Sequence, residues 1–328
     1  SLGATDDVAQ AWERSVNARG GINGAPPVQV IVKDDALDPT KSLQAVKELV
    51  ENDKVVAIVG VASPVGDSFA QYLAEKKVPV VGGLSFLPSF QKSPYFFSTG
   101  PSLAVQEFAA YKMAKERGLT KLGFLYCGES PACKNSEALA AKIAASFGLG
   151  YESFQISATA PNYTAQCLQM RDSGVDVVKI LGSSPLQSRV VQSCSQQGFS
   201  PATISTAGGA SDDWLSDPNF EGRLFSSPTA NYLDEGIPGA KDYLDSIGTE
   251  LPDLRGTSQF SQPNALVWSG FKLFEAAAAA GSVTATSTPT DVVNGLYKLD
   301  GETLGGLAAP ITFTQGQAAN QRATSRSR

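Results

Sequence analysis

Histidine is absent from this sequence, and cysteine occurs only four times in 328 residues. Without an imidazole there is no Ser-His or Cys-His nucleophile system and no imidazole-ligated zinc. Nor is there a side chain that titrates unperturbed near neutrality. Most hydrolytic chemistry therefore lacks its customary machinery, and a non-enzymatic protein is the default reading. No stretch approaches the roughly 20 consecutive apolar residues needed to span a bilayer. No basic run is present, and 26 Lys and Arg against 32 Asp and Glu leave a net charge of −6. That balance argues against nucleic acid or an anionic membrane surface as the partner. The signatures G-x-S-x-G, G-x-x-x-x-G-K-[ST] and H-E-x-x-H are missing as well.

What is there is length enough for two ordinary cores and a regular alternation. Apolar, β-branched runs at Val28–Lys33, Val55–Val59, Val78–Val81, Lys121–Tyr126, Tyr151–Ile156, Val175–Leu181 and Ala202–Thr206 read as strands. They are nearly continuous in hydrophobicity, as parallel strands covered on both faces require. Each is followed by a segment of helical spacing. Asp6 and Asp7 open the first helix and Gly20-Gly21 follows its end, while Asp38-Pro39-Thr40 opens the second. This is an α/β doubly wound pattern. Beyond about residue 230, Gly239–Gly248, Asn264–Ala280 and Pro289–Leu299 read as three helices with weak strand signals.

The cysteines at 127, 133, 167 and 194 permit three pairings. Cys127 ends a predicted strand and Cys133 begins the next helix. Cys167 and Cys194 fall on consecutive crossover helices expected side by side on one face of the sheet. The pairing 127–133 with 167–194 is therefore the least costly geometrically. Oxidised cysteines place the chain outside the cytoplasm, whereas four buried free thiols would place it inside. A C-x5-C spacing without histidine is not a zinc pattern, so no metal is expected.

Gly20-Gly21-Ile22-Asn23-Gly24 invites comparison with a phosphate loop, but it follows a helix and precedes a strand, the reverse of what a phosphate cradle needs. It reads as a helix cap and turn. Asp34-Asp35 reads as a solvated turn ahead of the second helix, not as a carboxylate pair or metal site, because adjacent strand-end residues point to opposite faces. What remains is a set of small polar turns at the carboxyl ends of strands: Val61–Ser68, Gly82–Phe86, Gly128–Ala132, Leu181–Pro185 and Ala207–Asp213. Ligands of open α/β sheets bind outside those strand ends. Gly, Ser and Ala there leave amides and hydroxyls accessible to a carboxylate or amide.

The segments NARGGINGAPPVQVIVKDDALDP (17–39), VVAIVGVASPVGDS (55–68), KKVPVVGG (76–83) and YFFSTGPS (95–102) resemble the amino-terminal lobe of type I periplasmic solute-binding proteins of the Leu/Ile/Val-binding family, the substrate-binding components of branched-chain amino acid ABC transporters. The segments 121–140, 175–199, 264–277 and 304–314 resemble that family in the same order. The resemblance implies two doubly wound parallel-sheet lobes joined by a three-crossover hinge, closing over a small ligand held in the cleft between them. Mapped onto this chain, the crossovers fall near Ser98–Ser102, Ser226–Thr229 and Thr303–Pro310. Lobe 1 is then 1–100 and 229–302, and lobe 2 is 101–228 and 303–328.

Family ligand contacts carry over to Ala62, Ser63 and Pro64, and to Ser85 and Phe86, on lobe 1. On lobe 2 they carry over to Tyr126 or the adjacent Gly128-Glu129, and to Ser183. Amino-acid binders of this family carry an acidic residue after the strand ending here at Thr206, where this chain reads Ala207-Gly208-Gly209. Phe86 stands where they carry a small polar residue. Both departures tilt the expected ligand from an α-amino acid towards an aromatic or other small organic acid. The strand that the family places ahead of the first helix is not in this sequence, and 315–328 is polar and basic where the family continues with a strand. The resemblance thus implies native segments outside the sequence.

The expected protein is an extracytoplasmic solute-binding component of an ABC importer, periplasmic or at the cell surface, with a lipid anchor as one option. It takes no cofactor, works as a monomer, and has a small-molecule ligand and an ABC permease as its partners. The alternative is the same fold used as the ligand-sensing domain of a receptor or regulator.

Overall fold

The computed structural model describes residues 4–25, 27–128, 131–206, 214, 216–257 and 259–318, with backbone alone at 131–135. The chain runs α1 (Thr5–Ala18), α2 (Pro39–Glu51), β1 (Ile58–Val61), α3 (Ala70–Lys76), β2 (Val80–Gly83), α4 (Ser89–Lys92) and β3 (Phe96–Phe97). It continues through α5 (Leu103–Glu116), β4 (Lys121–Cys127), α6 (Pro131–Ser146), β5 (Gly150–Ile156), α7 (Thr164–Asp172), β6 (Val177–Ile180), α8 (Ser184–Ser195), β7 (Ala202–Thr206) and β8 (Leu224–Ser226). Three helices close it: α9 (Pro238–Glu250), α10 (Gln262–Gly281) and α11 (Pro289–Lys298). The chain divides into two compact units. The first is Ser1–Ser102, Pro228–Arg255 and Pro263–Arg328; the second is Leu103–Ser227 and Gly256–Gln262.

Local chemistry explains the helix ends. The Gly20 and Gly21 amides donate to Asn17 O and Val16 O, both at 3.0 Å, ending α1, and Gly20, Gly21 and Gly24 all have positive φ. The GGING stretch is thus a helix cap and turn. Asp38 caps α2, accepting from the Thr40 and Lys41 amides at 2.8 and 3.1 Å, with Pro39 in the first turn. The Asp34 and Asp35 carboxylates accept from the Ala36 and Leu37 amides, both at 2.9 Å, and so support two non-glycine residues at positive φ.

In the second unit five parallel strands lie in the order β5-β4-β6-β7-β8. Leu122, Phe124 and Tyr126 of β4 pack with Tyr111 of α5 and Ala144 of α6, while Leu125 packs with Met170 of α7 and Val190 of α8. Alternate residues of one strand thus enter two different cores, which is why the strand reads as a continuous apolar run. Cys167 on α7 is bonded to Cys194 on α8, with Cα atoms 5.0 Å apart. Cys127 is disulfide-bonded too; the side chain of Cys133, its expected partner, lies outside the described residues.

In the first unit three parallel strands follow the order β1-β2-β3, with Val80 paired to Ile58 on one side and to Phe96 on the other. Leu73, Phe90 and Phe96 pack together with Leu266 of α10. Trp12 of α1 packs on Phe271 and Phe274 of α10, with ring centroids 4.7 and 6.2 Å apart.

Two features differ from the sequence reading. The strand expected at Val28–Lys33 joins no ladder: it is extended chain whose Val28 and Val30 amides donate to the Asn17 and Glu13 side chains of α1, both at 2.8 Å. A strand is defined by its neighbour, and among the described residues none pairs with it. Second, the described residues after 302 group with the first unit. The Gly239 amide donates to Gly305 O at 2.9 Å, the Ala230 amide donates to Leu307 O at 2.8 Å, and the Phe313 ring stands edge-on to Phe97 at 5.0 Å. The chain passes out of and back into the first unit once more at Arg255–Gly256 and Gln262–Pro263. Little in 303–318 reads as strand or helix, so only tertiary contacts assign it.

Candidate functional site

The sequence reading places its site at turns that follow parallel strands, and the structure presents these turns on each unit. In the first unit, Ala62, Ser63 and Pro64 follow β1, and Ser85 and Phe86 follow β2. The Leu84 amide donates to Val61 O at 2.9 Å and so holds the two turns side by side. Beneath them, glycine sets the spacing. A Cβ built on Gly82, whose φ is +67°, would fall 2.2 Å from Gly270 Cα, so α10 lies directly against the end of β2.

The two serines differ. Ser63 is half-buried; its hydroxyl oxygen accepts from the Val65 amide at 3.3 Å, and its carbonyl accepts from the Gly66 amide at 3.1 Å. Burial raises the pKa of the nearby Asp35 carboxyl, but hydrogen bonds from the Ser63 hydroxyl, the Leu37 amide and the Ser42 hydroxyl outweigh it, holding Asp35 below its usual range. Ser85 is buried, and its hydroxyl donates to Pro101 O at 2.9 Å, tying the turn to the first crossover segment. Phe86 beside it is exposed at 36%. The backbone amides of Ala62, Ser63 and Phe86 have no acceptor among the described residues. Two small turns thus combine amide donors with one exposed aromatic ring.

In the second unit Tyr126 sits near the end of β4, 9% exposed, its ring stacked on Phe124 at 6.4 Å. The Gly128 amide after it donates to Ile156 O at 2.9 Å. Ser183 is exposed at the amino-terminal cap of α8, and its hydroxyl makes no capping hydrogen bond. Glu129 and Gly208 lie outside the described residues, as does the stretch 207–213 that carries the departure from the amino-acid binders.

Sequence reasoning missed Gln187. It is buried and donates to Gly182 O at 2.9 Å, while its Oε1 accepts from the Ser205 hydroxyl at 2.7 Å and from Arg223 Nη2 at 3.1 Å. One side chain thereby joins the turn after β6 to β7 and to the residue ahead of β8. A glutamine early in a helix reads as solvent-facing, and the signal that could have drawn attention to it is its place four residues after the exposed Ser183 cap. It also missed Lys179, an apparently misplaced charge within the apolar β6, which is ion-paired with Glu107 of α5 in the core.

Comparison with known proteins gives the arrangement its context. No curated protein sequence is detectably similar to this chain. Among solved structures, a branched-chain amino acid ABC transporter protein from Thermus thermophilus with bound valine superposes with a TM-score of 0.79 at 17% identity, covering 96% of this chain and 86% of that one. A fatty acid ABC transporter substrate-binding protein from Thermomonospora curvata gives 0.74 at 19%, over 96% and 81%. An ABC transporter solute-binding protein from R. palustris in complex with 4-hydroxybenzoate gives 0.69 at 18%, over 96% and 84%. These likenesses establish the fold. The periplasmic binding protein family itself matches residues 1–326. With parallel sheets in both units, polar turns at their carboxyl edges and a family match over nearly its whole length, this chain belongs to the periplasmic binding protein family.

Proposed function

We propose that this protein is the extracytoplasmic solute-binding component of an ABC importer and that it captures a small carboxylate- or amide-bearing molecule without performing chemistry on it. The family match over residues 1–326 carries the reading. The ligands named for the neighbours, valine and 4-hydroxybenzoate, share a carboxylate. The amides of Ala62, Ser63 and Phe86 offer donors for such a group. The exposed Phe86 ring favours a flat or apolar body on it, hence an aromatic or other small organic acid over a small amino acid. Tyr126 and Ser183 are the contacts assigned to the second unit. A permease is the partner that receives the ligand, and the Cys167–Cys194 disulfide fits an oxidising compartment.

The test is native mass spectrometry of the purified protein for a copurified small molecule, followed by calorimetric titration with 4-hydroxybenzoate, 3,4-dihydroxybenzoate, valine and leucine. Micromolar or tighter binding of an acid supports the reading. The absence of binding to any carboxylate, with no copurified ligand, overturns it.

A further inference from the structure

One arginine of the second unit has donors without acceptors. Arg223 stands just ahead of β8, and its Nε and Nη1 are buried with no hydrogen-bond partner. Its hydrogen bond among the described residues runs from Nη2 to Gln187 Oε1 at 3.1 Å. Two rings lie against the guanidinium, whose Cζ is 4.0 Å from the Trp214 ring centroid and 4.4 Å from that of Phe220. Such rings attract a cation through their faces but accept nothing in the guanidinium plane. No described carboxylate takes their place. Asp217, at the start of the turn that leads to Phe220, accepts from the Asn219 amide and Nδ2 at 2.9 and 2.7 Å, and Glu221 is exposed. From α8 and β7 the side chains at this position are the neutral Gln187, Ser188 and Ser205. Burial accordingly pushes the Arg223 pKa down to about 9, with no charge to oppose the fall.

A buried guanidinium left uncompensated is costly, and native proteins pair such donors with protein groups, water or an ion. The geometry defines what would pair this one. Nη2 carries a hydrogen on each edge of the guanidinium, one beside the Nε hydrogen and one beside an Nη1 hydrogen. Whichever edge Gln187 takes, the other edge presents two N–H groups side by side with no acceptor. The rings lie against the cation, so an acceptor reaches it along that edge. Trp214 is itself fixed there, its Nε1 donating to the Ser188 hydroxyl at 2.9 Å. Water would satisfy the donors and leave the charge. A small monovalent anion does both, and it loses less hydration on burial than a dianion.

We propose that Arg223 holds a small monovalent anion, of the size of chloride or formate, at the free edge of its guanidinium between α8 and β8. The site belongs to the second unit alone and requires no captured solute. Occupied, it completes a series of hydrogen bonds from the anion through Arg223 and Gln187 to Gly182 O, at the base of the turn that carries Ser183.

The test is chloride NMR line broadening on the full chain, beside Arg223→Met, Arg223→Lys and a double variant, Asp212→Asn with Asp213→Asn, at the two aspartates that precede Trp214 in sequence. Met can pack on the same rings and strands no partner charge, so that variant is expected to fold. The unmodified chain should broaden the chloride line beyond the buffer value, and sodium formate should reverse it. Chloride affinity should fall about tenfold or more in Arg223→Met, as expected for losing hydrogen bonds from a charged donor. Arg223→Lys keeps the charge but not the fork and should also bind more weakly than the unmodified chain. No excess broadening in the unmodified chain, or equal broadening in both Arg223 variants, overturns the proposal. Broadening that appears only in the aspartate double variant would assign the guanidinium to a carboxylate of the chain itself. Displacement by sulfate but not by formate would assign the site to a dianion. Either result overturns the assignment to a small monovalent anion.

Discussion

The Lys179 ammonium on β6 is ion-paired with the Glu107 carboxylate on α5, with 2% and 9% of the two side chains exposed. Desolvation lowers the Lys179 pKa and the Glu107 charge opposes that fall. Burial, with Glu107 adding to it, pushes the neighbouring Tyr111 phenol far above its ordinary value. Removing either charge alone strands the other in the core. Lys179→Met is therefore expected to destabilise the protein by about 3–5 kcal/mol in urea unfolding, and Lys179→Met combined with Glu107→Leu to recover most of it. A single variant as stable as the parent would contradict the pairing.

Asp35, Asp38 and Asp291 all titrate below the ordinary 3.8, for different reasons. Burial raises Asp35 against the hydrogen bonds that win, whereas Asp38 is lowered chiefly by the Lys41 and Thr40 amides and Asp291 by the Thr288 amide. Each folded value is depressed, so the unfolded chain binds protons first as pH falls. The stability these groups contribute is complete above pH 3.8 and its neighbourhood and is lost as pH drops through the lowered folded values. Melting temperature should hold from neutrality to about pH 5 and decline steeply below pH 4. In Asp38→Asn, whose amide oxygen still caps α2, the acid limb of that decline should become shallower.

Thiol titration of the unreduced, denatured protein should find no free sulfhydryl, because no described cysteine is free. Reducing the Cys167–Cys194 bridge releases a loop of 27 residues of separation. By chain entropy this lowers stability by about 3.5 kcal/mol, read as a lower urea midpoint in reductant.

In the first unit, polar capture and shape can be separated by substitution. The Ser63 hydroxyl already serves Asp35, so Ser63→Ala should change affinity for 4-hydroxybenzoate by less than about 1 kcal/mol. Phe86→Ala should cost about 1–2 kcal/mol for the aromatic acid and little for valine. Calorimetry with both ligands decides it. A large loss in Ser63→Ala with none in Phe86→Ala would reverse the roles assigned to the two side chains.

Much of this was legible in the sequence because parallel strands and amphipathic helices carry their burial in their pattern. Lys121–Tyr126 and Ala202–Thr206 reappear as β4 and β7, and the three late helices reappear as α9, α10 and α11. β3 and β8 escaped because two and three residues hold no period. Val28–Lys33 carries strand composition without a strand's hydrogen bonds, since pairing belongs to the neighbour and not to the segment. At the site, the residue types at the turns were readable, but their commitments were not. That the Ser85 hydroxyl is spent on Pro101, and the Ser63 hydroxyl on Asp35, depends on backbone paths 16 and 28 positions away in sequence.

The contact of Gly82 with Gly270 is backbone against backbone. Side-chain packing can adjust by swapping large for small across an interface, but here neither partner has anything to give up. Drift or redesign of ligand preference therefore has unequal freedom in this region. Under the proposed site, Pro64 and Phe86, which carry side chains outward, are the positions to vary for a new ligand, while the glycine joint beneath them fixes how far the turn stands from its supporting helix. A library aimed at new ligands should spend its diversity on the former and leave the latter untouched, since a change there would move every contact at once instead of altering one.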